Sequence, residues 1–174
     1  TTNSGRYYLR EISVPDGYLI EQSVIPVEFT YENQFIAWQV VDCLHSDKQT
    51  TVEIDKRAFA SDSDTTFALP GATLTVTDWN GNVVDSWESS DTAHVICGLH
   101  LSHDFAGNRD TSKVYTLAET CPADGYTTAR SIQFRLEQAT DDNGYLQETA
   151  VWVLHESEDA EYQSGSIISP TAFS

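Results

Sequence analysis

One sequence pattern occurs twice in this chain and limits what it can fold into. YYLREISVPDGYLI near the start and VYTLAETCPADGYTTA in the second half both read Y-x-L-x-E, then three residues, then x-D-G-Y. The glutamates of the two copies are Glu11 and Glu119. A long self-similar segment is typical of an array of modules, each a single supersecondary unit. The sequence therefore predicts two related modules.

The repeat also predicts the limits of these modules. Residues 1–46 match only the later part of residues 50–160, and the segment LPGATLTV with the following Asn-Gly pair has no counterpart before the first copy. We expect residues 1–46 to be the C-terminal part of a truncated module and residues 50–160 to be a complete one. Residues 161–174 would then be a linker or tail.

Strand signals dominate the chain. TTVEIDKRAF alternates polar and apolar residues, and ATLTVTDW and NVVDSW flank an Asn-Gly pair, which is a strong hairpin signal. HVICGL, VYTLAET, SIQFRLEQ and TAVWVLHE add short strands, and no stretch has sustained helical periodicity. Short strands separated by turns predict an all-β sandwich.

The charge of the chain excludes two classes of partner. Its 174 residues carry a net charge of -18. Nucleic acid and anionic membranes require clusters of Lys and Arg, which this sequence lacks, and no apolar run has the length of a membrane span. No pattern indicates a cofactor or a metal site, since His100 and His103 lie in the polar stretch HLSHDFAGNRDTSK, which we interpret as a solvated loop.

The three cysteines, Cys43, Cys97 and Cys121, lack the spacing of a metal site. Two interpretations are open. They are either small buried apolar residues, or Cys97 and Cys121 form a disulfide, which an exported protein would permit.

Strand alternation predicts that two charged residues point inward. Lys56 continues the apolar face of TTVEIDKRAF, and Glu119 shares a face with Tyr115 and Leu117. Glu11 has the same position in the first copy. Because an isolated buried charge is costly, we expect Lys56 and Glu119 to meet.

Burial would change the chemistry of these groups. It disfavours the charged forms, so a neutral amine and a protonated carboxylic acid can coexist. A neutral amine is a nucleophile, and a protonated acid can polarise a carbonyl and carry a proton. The missing component is an electrophile, and Asp42, which ends the apolar run of QFIAWQVVD, is a candidate in the first copy.

Together these residues resemble the B-type domain of the collagen adhesin Cna and the SpaA-type pilin domains of Gram-positive surface proteins. The resemblance is carried by VEIDKRAF, LPGATLTVTDWNGNVV, YTLAETCPADGY and IQFRLEQ. It implies a transthyretin-like β-sandwich with an isopeptide bond between a first-strand Lys and a last-strand Asn or Asp, catalysed by the glutamate of the motif. By resemblance Lys56 is the nucleophile and Glu119 the catalyst, while Glu11 and Asp42 have the catalytic and acceptor roles in the first module.

The acceptor of the complete module departs from the family pattern. Alignment on the tryptophans places Glu156 opposite Asp42, alignment on the apolar run places His155 there, and Asp159 is close in sequence. None of them is an Asn or Asp at the family position, so we expect a buried ion pair of Lys56 and Glu119 without a covalent bond.

The resemblance implies a structural role. We expect a stalk or backbone module of an adhesin or pilin, located outside the cell at the cell surface or cell wall of a Gram-positive bacterium, with neighbouring domains of the same protein as partners. It would be no enzyme beyond autocatalytic isopeptide formation. The alternative is a ligand-binding adhesin domain that recognises a host glycan or matrix protein through the loop at residues 99–113.

Overall fold

The computed structural model of the chain describes residues 5–21, 23–30, 40–44, 46–60, 65–102, 110–140, 146–154, 160–163 and 167–168, with side chains described as far as residue 138. All regular structure in these residues is β, and none of them lies in a helix that could cross a membrane. The strands are β1 Gly5–Arg10, β2 Tyr18–Leu19, β3 Val24–Phe29, β4 Lys48–Gln49, β5 Thr51–Ile54, β6 Arg57–Phe59, β7 Thr66–Ala68, β8 Thr73–Thr77, β9 Val83–Glu88, β10 His94–Cys97, β11 Tyr115–Cys121, β12 Ile132–Thr140, β13 Leu146–Leu154, β14 Ala160–Gln163 and β15 Ile167–Ile168.

Two sheets form the sandwich of the second module. One sheet has the order β14-β13-β12-β11-β8-β9, and the other has the order β10-β5-β15. Buried side chains alternate with less buried ones along β5, β8 and β11. The apolar core of the described residues consists of Val52, Ile54, Leu74, Val76, Ile96, Leu99, Tyr115, Leu117, Phe134 and Leu136. The prediction of an all-β sandwich is confirmed.

The predicted Asn-Gly hairpin joins β8 to β9. Oδ1 of Asp78 accepts hydrogen bonds from the backbone N–H groups of Asn80 and Asn82, both at 2.8 Å. The Asn82 side chain donates to the other oxygen at 2.9 Å, and this bond holds the pKa of Asp78 below its usual value. Gly81 takes the left-handed conformation with φ of 81°, which glycine adopts without steric cost.

The two copies of the repeat form the same antiparallel strand pair. Leu9 of β1 lies opposite Ile25 of β3, and Leu117 of β11 lies opposite Ile132 of β12. The tyrosine two residues before each leucine also has the matching partner in both pairs. The sequence repeat is therefore a repeat of strand register as well.

The first copy contacts the second through residues 15–20, which we call the docking turn. β2, within this turn, pairs with β4 in the connection between the copies. The backbone of Ile20 exchanges two hydrogen bonds with the Gln138 side chain, at 3.3 and 3.1 Å. The Thr50 N–H donates to the Gly17 carbonyl oxygen at 2.9 Å. Most of these bonds use main-chain atoms of the turn.

The cysteines differ from both interpretations of the sequence. Cys97 and Cys121 are exposed free thiols, and Cys43 is a half-buried free thiol. Cys97 pairs with Thr51 at the start of β5, whereas Cys121 ends β11. Lys56, which follows the other end of β5, contacts Glu119 near the Cys121 end of β11. The two cysteines therefore lie at opposite ends of the sandwich. The geometry therefore does not allow a disulfide between them.

Two strands follow the expected end of the complete module. β14 pairs with β13, and β15 pairs with β5 in the parallel direction. Residues that the sequence pattern assigned to a linker or tail thus take part in the sandwich. The module limits themselves stay a prediction.

Candidate functional site

Lys56 lies between β5 and β6, where the first strand of the module changes partner. β5 pairs with β10 and β6 pairs with β7. The Lys56 carbonyl accepts a hydrogen bond from Leu69 N–H at 2.8 Å, and the neighbouring Arg57 side chain donates to Asp55 at 2.9 Å on the outer face. Burial alternates without interruption from Val52 through Lys56, as the sequence pattern predicted.

Glu119 is held on β11 by a second set of contacts. It lies opposite Leu74 of β8, and its Oε2 accepts a hydrogen bond from the backbone N–H of Ala129. This bond orients the carboxylate so that the other oxygen, Oε1, is directed at the opposite sheet. The register of β11 on β8 shifts after Glu119, and such a bulge re-aims the side chains that follow it.

The two side chains meet inside the sandwich. Lys56 Nζ lies 3.2 Å from Glu119 Oε1, and each side chain is 1% exposed. Oε1 has no other hydrogen-bond partner among the described residues, so the Lys56 ammonium is its partner. The main core lies on one side of the pair, and a smaller cluster of Ala58, Leu69, Ala72 and Ala123 lies on the other.

This environment determines what the pair can do. Water has no access, so the attraction between the charges is strong but their desolvation is costly. Transfer of one proton from the ammonium to the carboxylate would leave a neutral amine and a carboxylic acid, which are a nucleophile and a proton donor. A carboxyl or amide carbon placed beside Nζ would complete an acyl-transfer site.

In the first copy Glu11 makes the equivalent backbone contact. Its Oε2 accepts the N–H of Glu21 at 2.9 Å, and Glu21 stands at the same distance in sequence from Glu11 as Ala129 from Glu119. Glu11 is half-buried. Asp42, proposed as the acceptor of this module, is exposed and lies outside any strand. Its acceptor role stays a prediction, because the lysine that it would join in the first module is not among the residues of this chain.

The acceptor candidates of the complete module, His155, Glu156 and Asp159, lie outside the described residues. Besides β10, two described strands from the last part of the chain approach β5, namely β13 and β15. The roles assigned to Lys56 and Glu119 by resemblance stay predictions, although their meeting is observed.

Sequence reasoning missed two residues that support the site. Ser89 is buried, and its hydroxyl accepts the N–H of Ala72 at 2.9 Å and donates to the Leu69 carbonyl at 2.6 Å. These bonds fix two members of the small cluster beside the ion pair. Ala129 could have been found from the repeat alone, because both copies place a backbone N–H at the same spacing after the glutamate.

Comparison with known proteins adds one structural likeness. No family model and no curated protein matches the chain. Among solved structures the chain is similar to one titled "The Bacillus anthracis TIE protein", with a TM-score of 0.47 and 15% sequence identity. The match covers 97% of this chain and 41% of that one. Assignment to the Cna B-type family stays a prediction that depends on this chain's own residues.

Proposed function

We propose that the chain is a structural stalk or backbone module of a Gram-positive cell-surface adhesin or pilin, with the transthyretin-like fold of Cna B-type domains. Its working location would be the outside of the cell, at the cell surface or cell wall. Its partners would be neighbouring domains of the same protein, and its chemistry would be internal to the fold.

The observation that supports this proposal is the buried pair of Lys56 and Glu119. The amine stands after the first strand of the module and the carboxyl stands in the repeated motif, as the family chemistry requires. Each side chain of the pair is 1% exposed, so a substrate bound at the surface would not reach it. The pair is useful in a module whose task is to keep its strands together.

We propose that the pair in this module is not converted to a covalent bond. The family places an Asn or Asp as acceptor, whereas alignment on the tryptophans or on the apolar run places Glu156 or His155 at that position of this chain. An amine whose neighbour at the acceptor position is neither Asn nor Asp would remain an ion pair with Glu119.

Intact-mass spectrometry of the denatured chain tests the state of the pair. Condensation with a carboxyl would expel one water, and condensation with an amide would expel one ammonia. We expect the mass of the unmodified sequence. Loss of one water, absent from Glu119→Ala and accompanied by a branched peptide that joins Lys56 to Glu156 or Asp159, would contradict the non-covalent state.

Binding assays combined with limited proteolysis test the structural role itself. A stalk module should bind no component of a glycan and matrix-protein array and should resist protease in its second module. Saturable binding of one glycan or matrix protein would instead support the ligand-binding adhesin. The central part of the loop that would form that contact surface, residues 103–109, lies outside the described residues, and no other observation favours this alternative.

A further inference from the structure

The docking turn of the first copy has a counterpart in the second. We call residues 123–128 the matching turn, because its D-G-Y occupies the same place after the motif glutamate. The Tyr18 N–H donates to the Pro15 carbonyl at 3.2 Å, and the Tyr126 N–H donates to the Ala123 carbonyl at 3.0 Å. Gly17 and Gly125 have φ of 85° and 84°. The two turns therefore have the same conformation.

Their surroundings are opposite. An added Cβ on Gly17 would collide with the carbonyl oxygen of Gly98, whereas nothing lies within 4 Å of an added Cβ on Gly125. Leu19 and Ile20 are buried, but residues 124–128 are all exposed. The matching turn therefore has the conformation of the docking turn, but no described residue covers it.

The surface that receives the docking turn is defined by residues of the second module and the connection before it. We call it the receiving end, and it consists of β4, Thr50, Gly98, His100 and Gln138. The Thr50 amide and the Gln138 side chain bond main-chain groups of the turn. The Thr50 hydroxyl donates to the Leu99 carbonyl at 2.6 Å, and Gly98 N–H donates to the Thr50 carbonyl at 2.9 Å. These last two bonds join groups of the receiving end and its surroundings to one another and do not involve the docking turn.

We propose that the matching turn is a docking surface for the receiving end of a further module of the same kind. Most of the bonds in the occupied interface use the main chain of the turn, so replacement of Leu19 and Ile20 by Thr127 and Thr128 leaves them available. A side-chain contact is matched as well. Asp16 lies 3.4 Å from Nδ1 of His100, and Asp124 would present its carboxylate in the same way.

The arrangement is heterologous, because one end of a module binds the opposite end of the next. Such contacts repeat in one direction and produce open arrays. The inference goes beyond the proposed function in naming the contact surface, and it rests on the proposed modular role. Its test involves neither Lys56 nor Glu119, so its failure can be distinguished from failure of that role.

The test uses the full chain with Gly17→Asn. Asn tolerates the left-handed conformation, but its Cβ would collide with Gly98 and so free the receiving end. We expect hydrogen exchange at the Thr50 amide to accelerate by about tenfold or more in dilute solution, as a local opening does. We also expect the average mass in sedimentation to rise with concentration, as the freed end takes the matching turn of another molecule.

Two further variants make the result specific. In the double variant Gly17→Asn with Gly125→Asn, we expect Thr50 to be exposed and the chain to stay monomeric. The Cβ at position 125 has free space in the single molecule but would collide with a receiving end that docks on the matching turn. Gly81→Asn, at a left-handed glycine with open space around it, should behave as the unaltered chain.

Three results would overturn the inference. One is a monomeric Gly17→Asn chain with Thr50 exposed, and another is equal association of the double variant. The third is full protection of the Thr50 amide from hydrogen exchange in Gly17→Asn. Gly17 would then not be packed closely against Gly98, and the docking surface is inferred from that packing.

Discussion

The β1–β3 pair and the β11–β12 pair have the same strand register, but their side chains differ in burial. Tyr7 and Leu9 of the first pair are 59% and 50% exposed, whereas Tyr115 and Leu117 of the second are each 2% exposed. Leucine lies opposite isoleucine in both pairs, and tyrosine lies opposite Val27 in the first pair and Phe134 in the second. A strand pair alone therefore does not determine burial.

The difference comes from the covering sheet. In the second module β5 lays Val52 and Ile54 over the face that carries Tyr115 and Leu117. On β1 the equivalent side chains Tyr7 and Leu9 stay exposed, although Val27, opposite Tyr7 on β3, is buried. Two-stranded pairs seldom bury enough apolar surface to be stable alone, so the first copy depends on its attachment to the second through the docking turn.

The largest expected effect tests the charged members of the two copies. Lys56→Ala and Glu119→Ala each leave a buried charge without its partner, which costs about 3–5 kcal/mol. Glu11→Ala removes the solvent-exposed hydrogen bond from the Glu21 N–H and should cost about 1 kcal/mol or less. Denaturant unfolding of the full chain measures all three.

A matched double variant identifies the cause. Lys56→Met with Glu119→Leu replaces the pair by apolar side chains of similar size, and its stability should approach that of the unaltered chain. A loss below about 0.5 kcal/mol for Lys56→Ala alone, the level of surface substitutions, would show that the amine is not buried in solution. Equal losses for Glu119→Ala and Glu11→Ala would remove the contrast between the copies.

A smaller effect is expected for the apolar members of the same strands. Leu117→Ala opens a cavity in the main core and should cost about 2–5 kcal/mol, whereas Leu9→Ala at the matching position should cost about 0.5 kcal/mol or less. Denaturant midpoints at constant slope would report both changes. A cost at Leu9 close to that at Leu117 would mean that the face of β1 is covered in solution.

Strand alternation predicted much of the site from sequence. The alternation of apolar residues in TTVEIDKRAF placed Lys56 inward, although the segment is divided into β5 and β6. Successive side chains of an extended chain point to opposite faces whichever strand the backbone pairs with. Glu119 followed from the same argument on β11. The hairpin at Gly81 followed from turn chemistry, which is local in sequence.

Features that depend on distant partners could not be predicted in this way. Alternation would direct Cys121 inward with Glu119, but the bulge between them turns the thiol outward. β15 is a two-residue strand whose parallel partner is far away in sequence, so no local pattern indicates it. The contact of Ile20 with Gln138 likewise joins residues that only the folded chain brings together.

The parallel pairing of β5 and β15 has a mechanical consequence. Tension applied at Thr51 and at the C-terminal end of Ile168 acts along the two strands in opposite directions, so the bonds between them are loaded together and not peeled one by one. Forced unfolding is governed by the unfolding rate. The ion pair of Lys56 and Glu119, two residues beyond Ile54, joins β5 to the other sheet and so resists the movement of β5 under this load.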